Sequence, residues 1–175
     1  MKLIPPTVLC LLALALLVCL PAAQEVRADD EDAPRFTRVE VEEAGELVRD
    51  KAVVEALPEG QFFSDGEALV AWWEAMDWAF KDKPDVDFDD SILVIETRDA
   101  ADPNRVRWGG RLNQDGELEV MGMSTMMGFE SSDEVKLVFL VVPREGIEAI
   151  ARNVQKIDDD GRVTFERVLY PVEED

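Results

Sequence analysis

From Phe36 to Glu42 the chain alternates, with Thr37, Val39 and Val41 on one side and Phe36, Arg38 and Glu40 on the other. That period of two predicts an edge or half-exposed strand. Ala44 to Leu57 fits two periods: Leu47, Val54 and Leu57 share a helical face, whereas Ala52-Val53-Val54 also reads as strand. After Ser64 the period becomes helical, and Leu69, Trp72, Trp73, Met76 and Phe80 fall on one strongly apolar face. Ser64 and Glu67 have the spacing of a capping box. The main helix is therefore predicted over about residues 65–80, stopped by Pro84, with Lys81 and Lys83 near its negative end. Trp78 falls off the apolar stripe and is expected at the surface.

Beyond the helix, Ile92-Leu93-Val94-Ile95 is apolar on both faces, as is Val135 to Val142 apart from Lys136. Both read as central strands covered on two sides. Between them, Arg105 to Trp108 and Glu117 to Val120 alternate around Asn113-Gln114-Asp115-Gly116, a hairpin signal. Ile147, Ile150 and Ala151 predict a short second helix over about residues 146–152. Asp158 to Gly161 is a turn leading into a last strand from Arg162 to Tyr170. There Val163 and Phe165 are in one phase and Val168 and Tyr170 in the other, so a bulge near Glu166-Arg167 is expected. The order of elements predicts an α+β fold, one main helix packed on a mostly antiparallel sheet.

The first residues read differently. Met1-Lys2 supplies a positive start, Thr7 to Leu20 is almost wholly apolar, and small residues offer cleavage after Ala23 or Ala28. This is the pattern of a signal peptide over residues 1–28. It is too short for a comfortable membrane span, with Pro5 and Pro6 inside any longer one. Cys19 lacks the small residue expected before a lipidated cysteine. Asp29 to Arg35 is acidic and poor in apolar residues, a predicted disordered spacer, and residues 36–175 are expected to form one domain.

Cleavage after Ala28 removes 28 of 175 residues, among them both cysteines. No disulfide-linked oligomer is then possible. There is no Asn-x-Ser/Thr acceptor site either, and together these absences favour a periplasmic or secreted bacterial protein. The whole chain has a formal charge of −21. Such a charge excludes a general nucleic-acid or anionic-membrane binder, and it suits either solubility or the steering of a basic partner.

Without histidine or cysteine, a Ser-His-Asp or Cys-His mechanism and the usual zinc and haem sites are excluded. A carboxylate-based hydrolase remains open, because glycosidases need two carboxyl groups and no more. A Ser nucleophile at Ser91 or Ser124 lacks an identifiable base. Asp85, Asp87, Asp89, Ile92 and Glu96 fall at EF-hand positions 1, 3, 5, 8 and 12, but Asp90 stands where the loop needs glycine. The pattern suits either an acidic loop feeding a buried strand or, as an alternative outside the EF-hand class, a weak structural calcium site at Asp85, Asp87 and Asp89; no other cofactor is expected. Met121, Met123, Met126 and Met127 suit either adaptable packing or Cu(I). A binding surface is predicted on the hairpin, formed by Trp108, Gly109 and Gly110 with Met121 and Met123.

Several of these features occur in an order that resembles the C-terminal domain of bacterial protease complex subunits, found in small exported proteins. They are Trp72-Trp73 in the helix, Val86-Asp87-Phe88, the Ile92–Ile95 strand, the Gly109-Gly110 pair and a strand ending in Val142-Pro143. The likeness spans residues 64–143 and departs at Arg111-Leu112, where that family carries an aromatic residue. It implies a non-catalytic domain that contacts or stabilises another protein and assigns no active-site residue. The expected function is therefore an exported, acidic, non-enzymatic interaction domain whose partner is another exported or envelope protein. N-terminal sequencing of the secreted form should find a first residue between Gln24 and Asp29; a mature chain retaining Leu3 to Leu20 would refute the leader.

Overall fold

The structure, a computed structural model, describes residues 35–173 except Met126 and Asp159. The leader, its cleavage sites and the spacer up to Pro34 lie outside the described residues. The described chain belongs to one compact unit, built as three layers. A five-stranded sheet contains β1 (Thr37–Val39), β5 (Val106–Leu112), β6 (Glu117–Ser124), β8 (Ala149–Ile157) and β9 (Val163–Pro171), in that spatial order. A four-stranded sheet runs β2 (Glu42–Asp50), β7 (Glu134–Pro143), β4 (Ser91–Asp99), β3 (Phe62–Phe63). The single α-helix, α1 (Gly66–Ala75), lies on the outer side of the four-stranded sheet. All pairings are antiparallel except β6 with β8. The α+β class and the mostly antiparallel pairing agree with the pattern of the sequence, although the strands divide into two sheets.

The two doubly apolar segments are the centre of the fold. Ile92 and Val94 of β4, with Val138, Leu140 and Val142 of β7, face the five-stranded sheet and pack on Leu118 and Ile150. The opposite faces, Leu93 and Ile95 with Leu137 and Phe139, pack on Leu69 and Trp73 of α1. Continuous apolar runs are required because both faces of these strands are covered.

The helix starts and ends differently from its pattern. Its N-cap is Asp65, not Ser64: the Asp65 carboxylate accepts from the amides of Glu67 and Ala68 at 2.9 and 2.8 Å. A carboxylate makes the stronger, charge-assisted cap, and the Ser64 carbonyl is engaged by Arg144 at 2.8 Å. The helix stops at Ala75 because Asp77 turns the chain in the left-handed region at φ 52°. Phe80 then begins a separate 3-10 turn, Phe80–Asp82. The reversal folds Trp78 back, so it is half-buried instead of exposed. Its ring meets Trp72 and Trp73 edge-on, with centroids 5.0 Å from each.

Four further expectations are corrected. The first strand breaks after Val39, and the chain crosses to the other sheet as β2. The Ala44–Leu57 ambiguity resolves into the rest of β2 followed by a 3-10 segment, Lys51–Ala56. Residues 146–152 form no helix. Gly146 turns the chain at φ 74°, the amides of Glu148 and Ala149 both donate to the Gly116 carbonyl, and Ala149 onward is strand β8. A helix here would leave Val168 to Pro171 of β9 without partners, since they pair with Arg152 to Ala149. Nor does β9 bulge, since its register with β8 is unbroken from Ile157↔Val163 to Ala149↔Pro171. The change of apolar phase has another cause: Val168 and Tyr170 face inward, whereas Val163 and Phe165 face solvent.

Trp73 is fully buried between α1 and the sheet, so its loss leaves a cavity as well as lost contacts. Trp73→Ala should lower the unfolding free energy by about 3–5 kcal/mol in denaturant melts.

Candidate functional site

β6 and β8 run parallel, yet they pair over only Glu117↔Ala149 and Leu118↔Ile150. Past that point the strands separate, and a cleft of about 530 Å³ opens between them. Glu119 and Val120 form one wall, Ala151 to Gln155 the other, and Leu57 to Gln61 with Glu96 the floor. Arg152 organises this floor. Its position places it on the inward face of β8 with Ile150 and Val154, and its guanidinium crosses to the other sheet. There it forms an ion pair with Glu96 and donates to the carbonyls of Gly60 (2.9 Å), Ile95 (3.1 Å) and Gln61 (3.2 Å). Gly60 is required at the bottom. It sits at φ 69°, and a Cβ there would fall 2.7 Å from the Tyr170 ring.

The solvent face of the five-stranded sheet borders the same cleft. The register β5–β6 and the strand alternation put Arg107, Arg111, Glu119, Met121 and Met123 on this face. Across the cleft it carries Asn153, Ile157, Val163, Phe165, Arg167 and Leu169. Met123, Ile157 and Phe165 are 68, 67 and 70% exposed. Arg167 pairs with Glu117 at 2.7 Å, which together with Asn113 holds the Glu117 carboxyl below its ordinary range.

At the far end of β4 two carboxylates tie the loops. Asp99 accepts from Ser131 Oγ and from the amides of Ser132 and Ala101, with Lys51 at 3.7 Å. The Ser131 hydrogen bond, first among these, holds it down to about 2. Asp102 is held low by Arg98, 2.7 Å away, and by Asn104. The Asn104 amide in turn exchanges hydrogen bonds with the backbone of Met127 and anchors the methionine loop. All three carboxyl groups are stabilised as anions, the opposite of what a general acid at neutral pH requires.

The structure brings together only part of the predicted surface. Trp108 and Gly110 face inward, and Gly109, Met121 and Met123 face outward, because successive strand residues point to opposite faces. Trp108 lies over Gly122, where a Cβ would fall 2.8 Å from the ring, and packs against the core between the sheets. Gly110 is buried where a Cβ would press on Val39 at 3.0 Å. Met127 is exposed in the loop after β6, while Met126 lies outside the described residues. Asp85, Asp87 and Asp89 are exposed in the loop before β4. Asp87 spends one oxygen on the Asp89 amide at 3.2 Å, and Glu96 is remote in the middle of β4, paired with Arg152. Among the described residues no three acidic side chains converge as a metal site.

The cleft residues Arg152, Glu119 and Asn153 were not legible as a site. Their signal was the Ile150, Arg152, Val154 alternation, which a helical reading of the preceding residues conceals. Comparison with protein families, curated proteins and solved structures finds no match.

Since Asp99 has a folded-state value below its ordinary 3.8, its stabilisation is complete above that pH and drains as pH falls towards 2. Melting between pH 4 and 2 should therefore show a shallower loss of stability in Asp99→Asn than in the parent; equal slopes would refute this.

Proposed function

We propose that this is an exported, non-enzymatic domain that binds another exported or envelope protein through the solvent face of its five-stranded sheet. The observation carrying this reading is that large apolar side chains on this face are exposed on both sides of the cleft: Met123 on β6, and Ile157, Val163, Phe165 and Leu169 on β8 and β9. No element of the described chain packs over them. Exposed apolar side chains set beside charge mark interaction surfaces in soluble proteins, and here Arg107, Arg111 and Arg167 lie on the same face. Arginine, methionine and aromatic residues are the types enriched at such interfaces. The lowered carboxyl groups Asp99, Asp102 and Glu117 do not suit the role of the general acid that a carboxylate hydrolase needs. The resemblance over residues 64–143 implies the same kind of role, a domain that contacts another protein.

Affinity capture from the native envelope, followed by mass spectrometry, tests the proposal when repeated with the double variant Met123→Asp, Phe165→Asp. Both side chains are exposed, so the variant should keep the parent's melting temperature while recovering at least tenfold less partner. Undiminished recovery would move the binding surface elsewhere, and no partner at all would refute the reading.

A further inference from the structure

The backbone of the five-stranded sheet bears on the form of the partner, an inference that rests on the interaction function proposed for this face. β6 continues to Ser124 and β8 to Ile157, yet their shared ladder ends at Leu118↔Ile150. Which backbone groups face the gap is set by the hydrogen bonds at its closed end. The Glu117 carbonyl accepts from Asn113 on the β5 side, and the Ala149 amide donates to Gly116 on the β6 side. Alternation along a strand then turns the N–H and C=O groups of Val120, Gly122 and Ser124 into the gap from one wall. Those of Asn153, Gln155 and Ile157 face it from the other. Among the described residues no strand pairs with either row. One long hydrogen bond, Asn153 Nδ2 to Glu119 Oε1 at 3.4 Å, crosses the gap.

The gap is held open by the fold. Arg152 binds β8 to the Gly60–Gln61 turn and to β4, while β6 follows β5 over seven register pairs. Edges of this kind are usually blunted by proline, bulges or inward lysine, because an open edge templates pairing with another chain. Val120 to Ser124 contains no proline or lysine, and its register with β5 carries no bulge.

We infer that the split between β6 and β8 accepts one extended strand of the partner protein, carrying a basic side chain at the cleft floor. An inserted strand would satisfy both rows of backbone groups at ladder spacing. It would also join the two halves of the solvent face, Met121 and Met123 on one side and Phe165 and Leu169 on the other. Charge selects the side chain: Glu59, Glu96 and Glu119 line the cleft against the single Arg152, whose guanidinium is already engaged. The net charge of −21 opposes insertion of a second copy of this chain.

The test uses three synthetic nine-residue peptides: alternating Lys and Val, the same with Glu for Lys, and the Lys/Val peptide N-methylated at alternate amides. Binding is followed by calorimetry and by amide hydrogen exchange in NMR spectra of the mature protein. The Lys/Val peptide should bind and slow exchange at Val120, Gly122, Asn153 and Gln155 at least tenfold. The Glu peptide should bind at least tenfold more weakly, and the methylated one should give no protection. Gln155→Pro removes one amide facing the gap while sparing the β8–β9 ladder, and should weaken the Lys/Val peptide at least tenfold. If that variant fails to fold by circular dichroism, the methylated peptide carries the comparison. No binding, binding without protection at these amides, or equal protection by the methylated peptide would overturn the inference, as would concentration-dependent protection without peptide, which identifies a second copy. Because the readout is local to the split and uses no native partner, failure here leaves the capture result with Met123 and Phe165 intact, and the reverse.

Discussion

The nine-pair ladder between β4 and β7 is the constraint from which the other elements take their positions. Both strands are buried on both faces, and each face supplies half of a separate hydrophobic cluster. A three-layer arrangement results, because a sheet apolar on two sides needs a cover on each. The helix covers one side with Leu69 and Trp73, and the five-stranded sheet covers the other with Leu118 and Ile150. Burial of large side chains contributes roughly 1.5–3 kcal/mol each, so these two interfaces dominate the stability of the described residues, which contain no cysteine.

The five-stranded sheet is covered on one face only, and its own continuity is interrupted. Its two halves are fastened to the centre by different means. The β1-β5-β6 half rests on apolar contacts, including Trp108 over Gly122 and Leu112 against the core. The β8–β9 half is fastened by Ile150 and by the hydrogen bonds of Arg152 to three carbonyls and Glu96. An arginine so fully engaged fixes direction as well as distance. The halves meet at Leu118 and Ile150 and diverge beyond, which creates both the cleft and the uncovered face beside it. The formal charge of −21 makes like-charge repulsion oppose the approach of a second copy to this open surface.

Much of the architecture was legible where the hydrophobic pattern is long and unambiguous. The doubly apolar strands, the Asn113–Gly116 hairpin and the apolar face of α1 each follow from side chains that can satisfy only one arrangement. Errors fell where several local solutions compete at nearly equal free energy. Ser64 and Asp65 are both good caps, and the neighbouring use of the Ser64 carbonyl by Arg144 accompanies the choice of Asp65. The Ile147-Ile150-Ala151 spacing fits a helix, but the Gly116 carbonyl and the Val168–Pro171 end of β9 demand a strand. Trp78, expected at the surface, is half-buried against Trp72 and Trp73 because Asp77 ends the helix, a backbone reversal with no strong residue signature.

The candidate site lay mostly beyond such reading. From residue types alone, the sequence determined that residues 36–175 carry no histidine or cysteine chemistry, and that they hold a core able to cover two faces of a sheet. It also placed methionine on a strand where alternation alone puts Met121 and Met123 together. Whether that face is open depended on which side of the five-stranded sheet meets β4 and β7, and whether Trp108 shares it depended on the β5–β6 register, which sets Trp108 opposite Gly122. The split between β6 and β8 was decided by tertiary structure alone. It arises from partners distant in sequence, Arg152 with Glu96 and Gly60, and Ala149 with Gly116, and no local period encodes where two paired strands stop pairing.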